Sequence, residues 1–190
     1  MAKVVVSQFV SLDGVIEDPG GSEGTPNGGW AFKYERGPEG DKFKLDEVMS
    51  SETLLLGRVT FGGFAEAWPT RDGEFADKFN GMRKYVVSST LDDPEWNNST
   101  VIRPDDVAAE VGKLREAPGG DILVNGSAQL VDLLMAHNLV DEYRLMVYPL
   151  VLGSGKRLFS ESSPLTSLKL ADSKPAGETF ILTYVPAEAG

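Results

Sequence analysis

Four short segments of this chain carry residue types suited to holding an anion or moving a proton. They are Ser11-Leu12-Asp13-Gly14, Gly57-Arg58-Val59-Thr60, Ser88-Ser89-Thr90 and Asn125-Gly126-Ser127-Ala128. The second is the most informative. Leu54, Leu55 and Leu56 end at Gly57, and Arg58 and Thr60 then open a helical pattern. That is a buried strand delivering a cation, a hydroxyl and free helix-start N–H groups to one point. A helix N-terminus carries unpaired N–H donors and about half a positive charge, so it attracts phosphate before any side chain is counted. Arg58 adds a planar, permanently charged fork that matches phosphate oxygens. Taken singly, each segment reads as turn chemistry. On one sheet edge together, they offer three helix or turn starts for phosphates and one carboxylate, Asp13.

Asp13 is the acid at the end of the first strand and the candidate acid–base or substrate-anchoring group. A carboxylate there can accept hydrogen bonds from an N–H-rich heterocycle or relay a proton through water. The competing reading is an Asp-Gly turn with a solvated side chain. No G-x-G-x-x-G follows the first strand and no G-x-x-x-x-G-K-[ST] occurs, which argues against a Rossmann dehydrogenase and a P-loop ATPase. Gly153-Ser154-Gly155-Lys156 lacks the P-loop spacing and reads as a glycine-rich connection. With no cysteine and one histidine, thiolate chemistry and a multi-histidine metal site are excluded, and no metal is expected. His137 closes a helical pattern, where a cation suits the dipole. No nucleophile–base pair can be assembled around it, so a hydrolase is disfavoured.

The elements that must position these residues follow from periodicity. Strands are expected over 3–12, 53–56, 84–87, 101–102, 122–124 and 143–148, and helices over 41–51, 58–67, 72–80, 104–117 and 128–136. A closing hairpin pairs 168–173 with 179–185 across a 174–178 connection. This alternation predicts a three-layer α/β/α fold with a mixed, mostly parallel central sheet and a C-terminal antiparallel hairpin, as one domain over 1–190. Ligands of such sheets bind at the carboxyl ends of the strands. Residues 19–29 hold five glycines and two prolines, a loop expected to be functional or mobile. Trp30, Phe32 and Tyr34 follow it as a pocket wall, lid or core anchor, and Trp30 is the candidate substrate contact. A net charge of −11 argues against nucleic-acid binding. The N-terminus lacks a signal-peptide layout and no stretch approaches ~20 apolar residues, so neither secretion nor membrane insertion is expected and a cytoplasmic location is.

The chain resembles the dihydrofolate reductase-like superfamily. It is more closely similar to the reductase domain of the bifunctional riboflavin-biosynthesis deaminase–reductase and its stand-alone relatives. The likeness is carried by Val10-Ser11-Leu12-Asp13-Gly14, Leu56-Gly57-Arg58-Val59-Thr60-Phe61, Tyr85-Val86-Val87-Ser88-Ser89-Thr90-Leu91 and Leu123-Val124-Asn125-Gly126-Ser127-Ala128-Gln129-Leu130. Residues 139–144 and 148–159 extend it. The resemblance implies NADPH binding and hydride transfer to a pterin-like or pyrimidine-like small molecule. It implies that Gly57, Arg58 and Thr60 contact cofactor phosphates, and that Ser88, Ser89 and Thr90 lie near the adenosine and its 2′-phosphate. Gly126, Ser127, Ala128 and Gln129 would place the pyrophosphate, and Asp13 and Gly14 would border the nicotinamide and substrate. Relatives often carry Gly-Gly where this chain has Asn125-Gly126. Many also carry an arginine near Ser89, absent here, which shifts weight onto Arg58. A homodimer is expected, partly from relatives and partly because the apolar terminal strands need edge cover. The alternative is a non-catalytic nucleotide- or flavin-binding module on the same fold.

Overall fold

In the computed structural model, which describes residues 1–187, β1 (Val4–Ser11) is buried along nearly its whole length. Its sequence VVVSQFVS explains this, since both alternating sets of side chains are apolar or small, as in a strand covered on both faces. The chain continues through α1 (Gly37–Ser50), β2 (Ser51–Gly57), α2 (Arg58–Ala67), α3 (Glu74–Gly81), β3 (Arg83–Val87) and β4 (Ser99–Ile102). It ends with α4 (Val107–Glu116), β5 (Asp121–Asn125), α5 (Ala128–Ala136), β6 (Glu142–Tyr148), β7 (Leu168–Ala176) and β8 (Thr179–Pro186). Within these residues the strands form one sheet in the order β4-β3-β2-β5-β1-β6-β8-β7. Neighbours from β4 to β6 pair in parallel, and β8 runs antiparallel to both β6 and β7. The expected mixed sheet and closing hairpin are both present. Residues 188–190, part of the expected domain span, lie outside the described residues.

Alternate side chains leave the sheet in opposite directions and bury against different helices. Val4, Val6, Leu55, Ile122 and Val124 pack with Val107 and Val111 of α4 and Leu130, Val131 and Leu134 of α5. Val5, Leu54, Leu56 and Leu123 pack with Val48 of α1, Phe61 of α2 and Phe79 of α3. From β1 the chain builds β2, β3 and β4 on one side, returns to insert β5 beside β1, then crosses to β6 on the other side. Crossovers in opposite senses put α1 and α5 on opposite faces, so the strand order reverses between β1 and β5, the position at which sheets of this kind bind ligands.

Some boundaries differ from expectation for local reasons. The helix expected from 41 begins at Gly37, with Pro38 in its first turn, where a missing N–H costs nothing. The helix expected from 104 opens with a 3-10 turn, Pro104–Asp106. The 174–178 connection contracts to Gly177 and Glu178, because β7 continues to Ala176. Pro175 is tolerated because β7 is an edge strand.

The glycine-rich segment 19–29 is built around one carboxylate. Asp18 is buried and accepts hydrogen bonds from the N–H of Glu23 (3.0 Å), the N–H of Thr25 (3.1 Å) and Thr25 Oγ1 (3.0 Å). Its carbonyl receives the N–H groups of Gly21 and Gly29. A methyl group at Gly28 would run into the Asp18 carboxylate.

Candidate functional site

The C-terminal ends of β1, β2, β3 and β5 lie along one edge because these strands run parallel. At its centre the starts of α2 and α5 touch. The Gly57 N–H donates to Ser127 Oγ at 2.8 Å, and Ser127 Oγ donates to the Asn125 carbonyl at 3.0 Å. Ser127 therefore does not cap α5, and Gly57 has no side chain with which to cap α2. Gly126 and Ser127 both adopt left-handed backbone, with φ of +54° and +62°. A Cβ on Gly126 would stand 2.6 Å from Thr60 Oγ1, and one on Gly57 3.3 Å from Ser127 Oγ. Gly57, Thr60, Gly126 and Ser127 thus converge, with Arg58 exposed in the first turn of α2, and half-buried Ala128 and exposed Gln129 in that of α5. Two uncapped helix starts at one point form an arrangement suited to a pyrophosphate.

Two amide side chains hold this turn: Gln8, which sequence reasoning missed, and Asn125, named there only as part of the turn. Gln8 is buried inside β1; its Nε2 donates to the Gly126 carbonyl at 2.7 Å, and its Oε1 accepts the Gly126 N–H at 3.0 Å. Asn125 Nδ2 donates to the Ser7 carbonyl at 3.1 Å. Strands β1 and β5 pair only as far as Ser7 opposite Asn125, and beyond that point side-chain amides replace the backbone ladder. The available signal was a glutamine within a valine-rich strand, since a buried polar group requires a partner.

At the third turn, Ser88 Oγ accepts the N–H groups of Thr90 (3.1 Å) and Leu91 (3.0 Å), leaving Ser89 and Thr90 exposed. The sequence offered no arginine near Ser89, but the fold supplies one. Pairing of β3 with β4 sets Val87 opposite Ile102 and brings up Arg103. Arg103 Nη1 donates to the carbonyls of Ser88 and Leu91, each at 2.9 Å, and Nη2 pairs with Asp92 at 2.5 Å.

Asp13 is engaged by its own neighbouring loops, and of the readings open for Trp30 the structure shows the core anchor. The Asp13 carboxylate accepts from Ser11 Oγ (2.6 Å), the Leu152 N–H (3.1 Å) and the Gly153 N–H (2.8 Å), with Arg157 Nη2 at 3.8 Å. The Ser11 hydroxyl, then the backbone N–H groups, lower its pKa to about 2. At neutral pH it is an anion with no proton to give, and it ties the loop after β6 to the end of β1. Gly14, at φ +83°, completes that turn by donating its N–H to the Ser11 carbonyl. Trp30 is 1% exposed, its indole N–H donates to the Glu17 carbonyl at 2.8 Å, and its ring packs edge-on to Tyr148. It is a core anchor, packed with Met146, Tyr148 and Ile181, and offers no face to a substrate.

A charged network lies on the α1 side of the sheet. Lys44 Nζ donates to Ser7 Oγ (2.6 Å) and Glu47 Oε1 (2.5 Å), and Ser7 Oγ donates to Glu47 Oε1 (2.8 Å). Arg144 Nη1 stands 3.7 Å from Glu47 Oε2. Lys44 and Glu47 are both buried, so their mutual pairing offsets the desolvation of each.

The sheet order and the flanking helices define an α/β fold like that of dihydrofolate reductase. The chain belongs to the RibD C-terminal domain family, which it matches over residues 2–182. It is 32% identical over 185 residues to the protein YwjB of Bacillus subtilis (strain 168), covering 97% of this chain and 98% of YwjB. Among solved structures it is similar to a Shewanella sp. PV-4 protein named after riboflavin biosynthesis, at TM-score 0.75 and 20% identity over 99% of this chain and 100% of the other. It is also similar to dihydrofolate reductase from Enterococcus faecalis, described in complex with NADP(H), at TM-score 0.59 and 18% identity over 98% and 97% of the two chains.

Proposed function

We propose that this chain is an NADPH-dependent reductase acting on a pterin-like or pyrimidine-like small molecule. The observation that carries the reading is the meeting of two uncapped helix starts around Gly57, Thr60, Gly126 and Ser127, held so close that a side chain added at Gly57 or Gly126 would press on the facing turn. These residues fit a dinucleotide. Gly57, Arg58 and Thr60, with Gly126, Ser127, Ala128 and Gln129, would hold its phosphates. Ser88, Ser89, Thr90 and Arg103 would flank its adenosine and 2′-phosphate, and Asp13 and Gly14 would border its nicotinamide end. When bound, the cofactor supplies a hydride to an electron-poor carbon of the substrate. The chain's own share is orientation: Gln8 fixes the Gly126 turn, and Asp13, as an anion, holds the loop at Leu152 and Gly153 against β1. Family membership and the NADP(H) complex of the Enterococcus neighbour support the cofactor. Titration followed by NADPH fluorescence is expected to give micromolar binding; none near millimolar cofactor refutes the reading.

The second reading, a nucleotide- or flavin-binding module without turnover, is favoured by the setting of Asp13, whose carboxylate is taken up by Ser11 Oγ and the Leu152 and Gly153 N–H groups, which hold its pKa low and leave it no proton to donate at neutral pH. Cofactor oxidation with any member of a panel of pterins, folates and pyrimidine-diones excludes it. A homodimer joined through the β7 edge fits the exposure of that strand and of Leu170 and Phe180. Light scattering that reports a monomer at micromolar concentration refutes the dimer.

A further inference from the structure

Arg103 divides its work between two nitrogens. Nη1 donates to the carbonyls of Ser88 and Leu91, which fixes the third turn. Nη2 pairs with Asp92. Both side chains reach solvent, 43% exposed for Arg103 and 86% for Asp92, so a ligand can meet the pair directly. An ion pair this exposed adds little stability, and the turn keeps its Nη1 bonds when Asp92 leaves. Asp92 is therefore a replaceable partner. The surroundings are acidic: Asp93 and Glu95 follow Asp92, Asp105 and Asp106 follow Arg103, and all four are exposed. Arg103 is the one lysine or arginine between residues 88 and 106.

The sheet sets this pair beside the candidate phosphate turns. Val87 lies opposite Gly57 in the β2–β3 register, so the Ser88 turn stands one strand, about 4.8 Å, from the Gly57 turn. On the dinucleotide reading above, on which this inference rests, an adenosine whose phosphates lie at Gly57 reaches the exposed pair with its ribose. The ribose 2′ position carries a hydroxyl in NADH and a phosphate dianion in NADPH. Each half of the pair suits one of them. A carboxylate accepts from a hydroxyl, and a guanidinium fork matches phosphate oxygens. We propose that Asp92 and Arg103 read both forms: Asp92 accepts the 2′-hydroxyl, or gives way so that Arg103 Nη2 takes the 2′-phosphate. NADH is then a second cofactor. The preference for NADPH stays small, because its phosphate must displace one carboxylate and sit near four more.

The test reads the adenosine half alone. Affinities of 5′-AMP, 2′-deoxy-5′-AMP and 2′,5′-ADP are measured by displacement of fluorescent NADPH. The wild type is expected to bind 5′-AMP about three- to tenfold more tightly than its 2′-deoxy form, the worth of one hydrogen bond. It should bind 2′,5′-ADP no more than about tenfold more tightly than 5′-AMP. Asp92→Ala should bring the first ratio to about one and raise the second about three- to tenfold, a gain that shrinks in about 0.5 M salt. Asp92→Asn, which keeps an acceptor oxygen without the charge, should retain the first ratio and raise the second. Asp93→Asn should raise the second by less than about twofold. A wild-type preference for 2′,5′-ADP above about tenfold, ratios unchanged in Asp92→Ala, or equal rises in Asp92→Asn and Asp93→Asn overturn the inference while dinucleotide binding stands. Failure of the wild type to bind NADPH at all removes the dinucleotide reading and this inference with it.

Discussion

A methyl group at Gly126 tests whether the two central turns meet as described. Gly126 has φ +54°, where an L side chain is strained by roughly 1–2 kcal/mol. Its Cβ would lie 2.6 Å from Thr60 Oγ1 and 3.1 Å from Thr60 Cγ2, well inside ordinary contact. Relief of that overpacking adds about 1–3 kcal/mol, so Gly126→Ala should destabilise the protein by about 2–5 kcal/mol. Thr60→Ala removes both offending atoms and leaves the Thr60 Cβ at 3.4 Å, the threshold of ordinary contact. In that background Gly126→Ala should cost only the backbone strain. A double-mutant cycle by urea denaturation should therefore return a coupling of about 1–3 kcal/mol. Costs that simply add would refute the contact between the α2 and α5 starts. Displacing the α5 start should also weaken NADPH by at least about tenfold in the single variant, about 1.4 kcal/mol. Undiminished binding would remove this turn from the groove.

Gln8→Leu leaves the N–H and C=O of Gly126 without their partners, and should cost about 2–4 kcal/mol in denaturation; a loss below about 0.5 kcal/mol contradicts the stitching role. Lys84 is fully buried and donates to the carbonyls of Asn80, Met82 and Asn97, and burial pushes its pKa down from 10.5 to about 8. Between those values the unfolded chain binds more protons, so stability should rise with pH by up to about 1.4 kcal/mol per unit in the wild type. That rise should vanish in Lys84→Met, and parallel pH profiles for the two proteins would refute it. Asp13→Asn should raise hydrogen exchange at the Leu152 and Gly153 amides. The lowered Asp13 pKa keeps the carboxylate's contribution intact above the usual carboxylate range, to be lost as pH falls through about 2. Protection lost already near pH 5 would contradict the loop clamp.

The parallel core and the four strand-end turns were legible because their signals are local. Valine and leucine runs ending at glycine or small polar residues mark buried strands whatever their neighbours. What escaped depends on strands distant in sequence. Gln8 acquires its role only when β5 is inserted beside β1, and Arg103 reaches Ser88 only because β4 pairs with β3. Lys44 and Glu47, three residues apart on α1, become a buried pair only because α1 is laid on Ser7. Trp30 was ambiguous for another reason. An indole suits a pocket wall and a core equally, and the Glu17 carbonyl that satisfies its N–H decides for the core. Asp13 lies at the end of β1, but apart from Ser11 its partners belong to a loop more than a hundred residues away.

Asp18 bears on how a ligand arrives. Ordering a free backbone residue costs about 1–2 kcal/mol, and a glycine-rich segment left loose would charge that cost to whatever bound beside it. Here the carboxylate of Asp18 gathers Glu23 and Thr25, and its carbonyl gathers Gly21 and Gly29, while the protein folds. The entropy is lost before any encounter. Association beside Gly14 should then proceed in one kinetic phase, limited by collision and alignment, with no slower ordering step behind it.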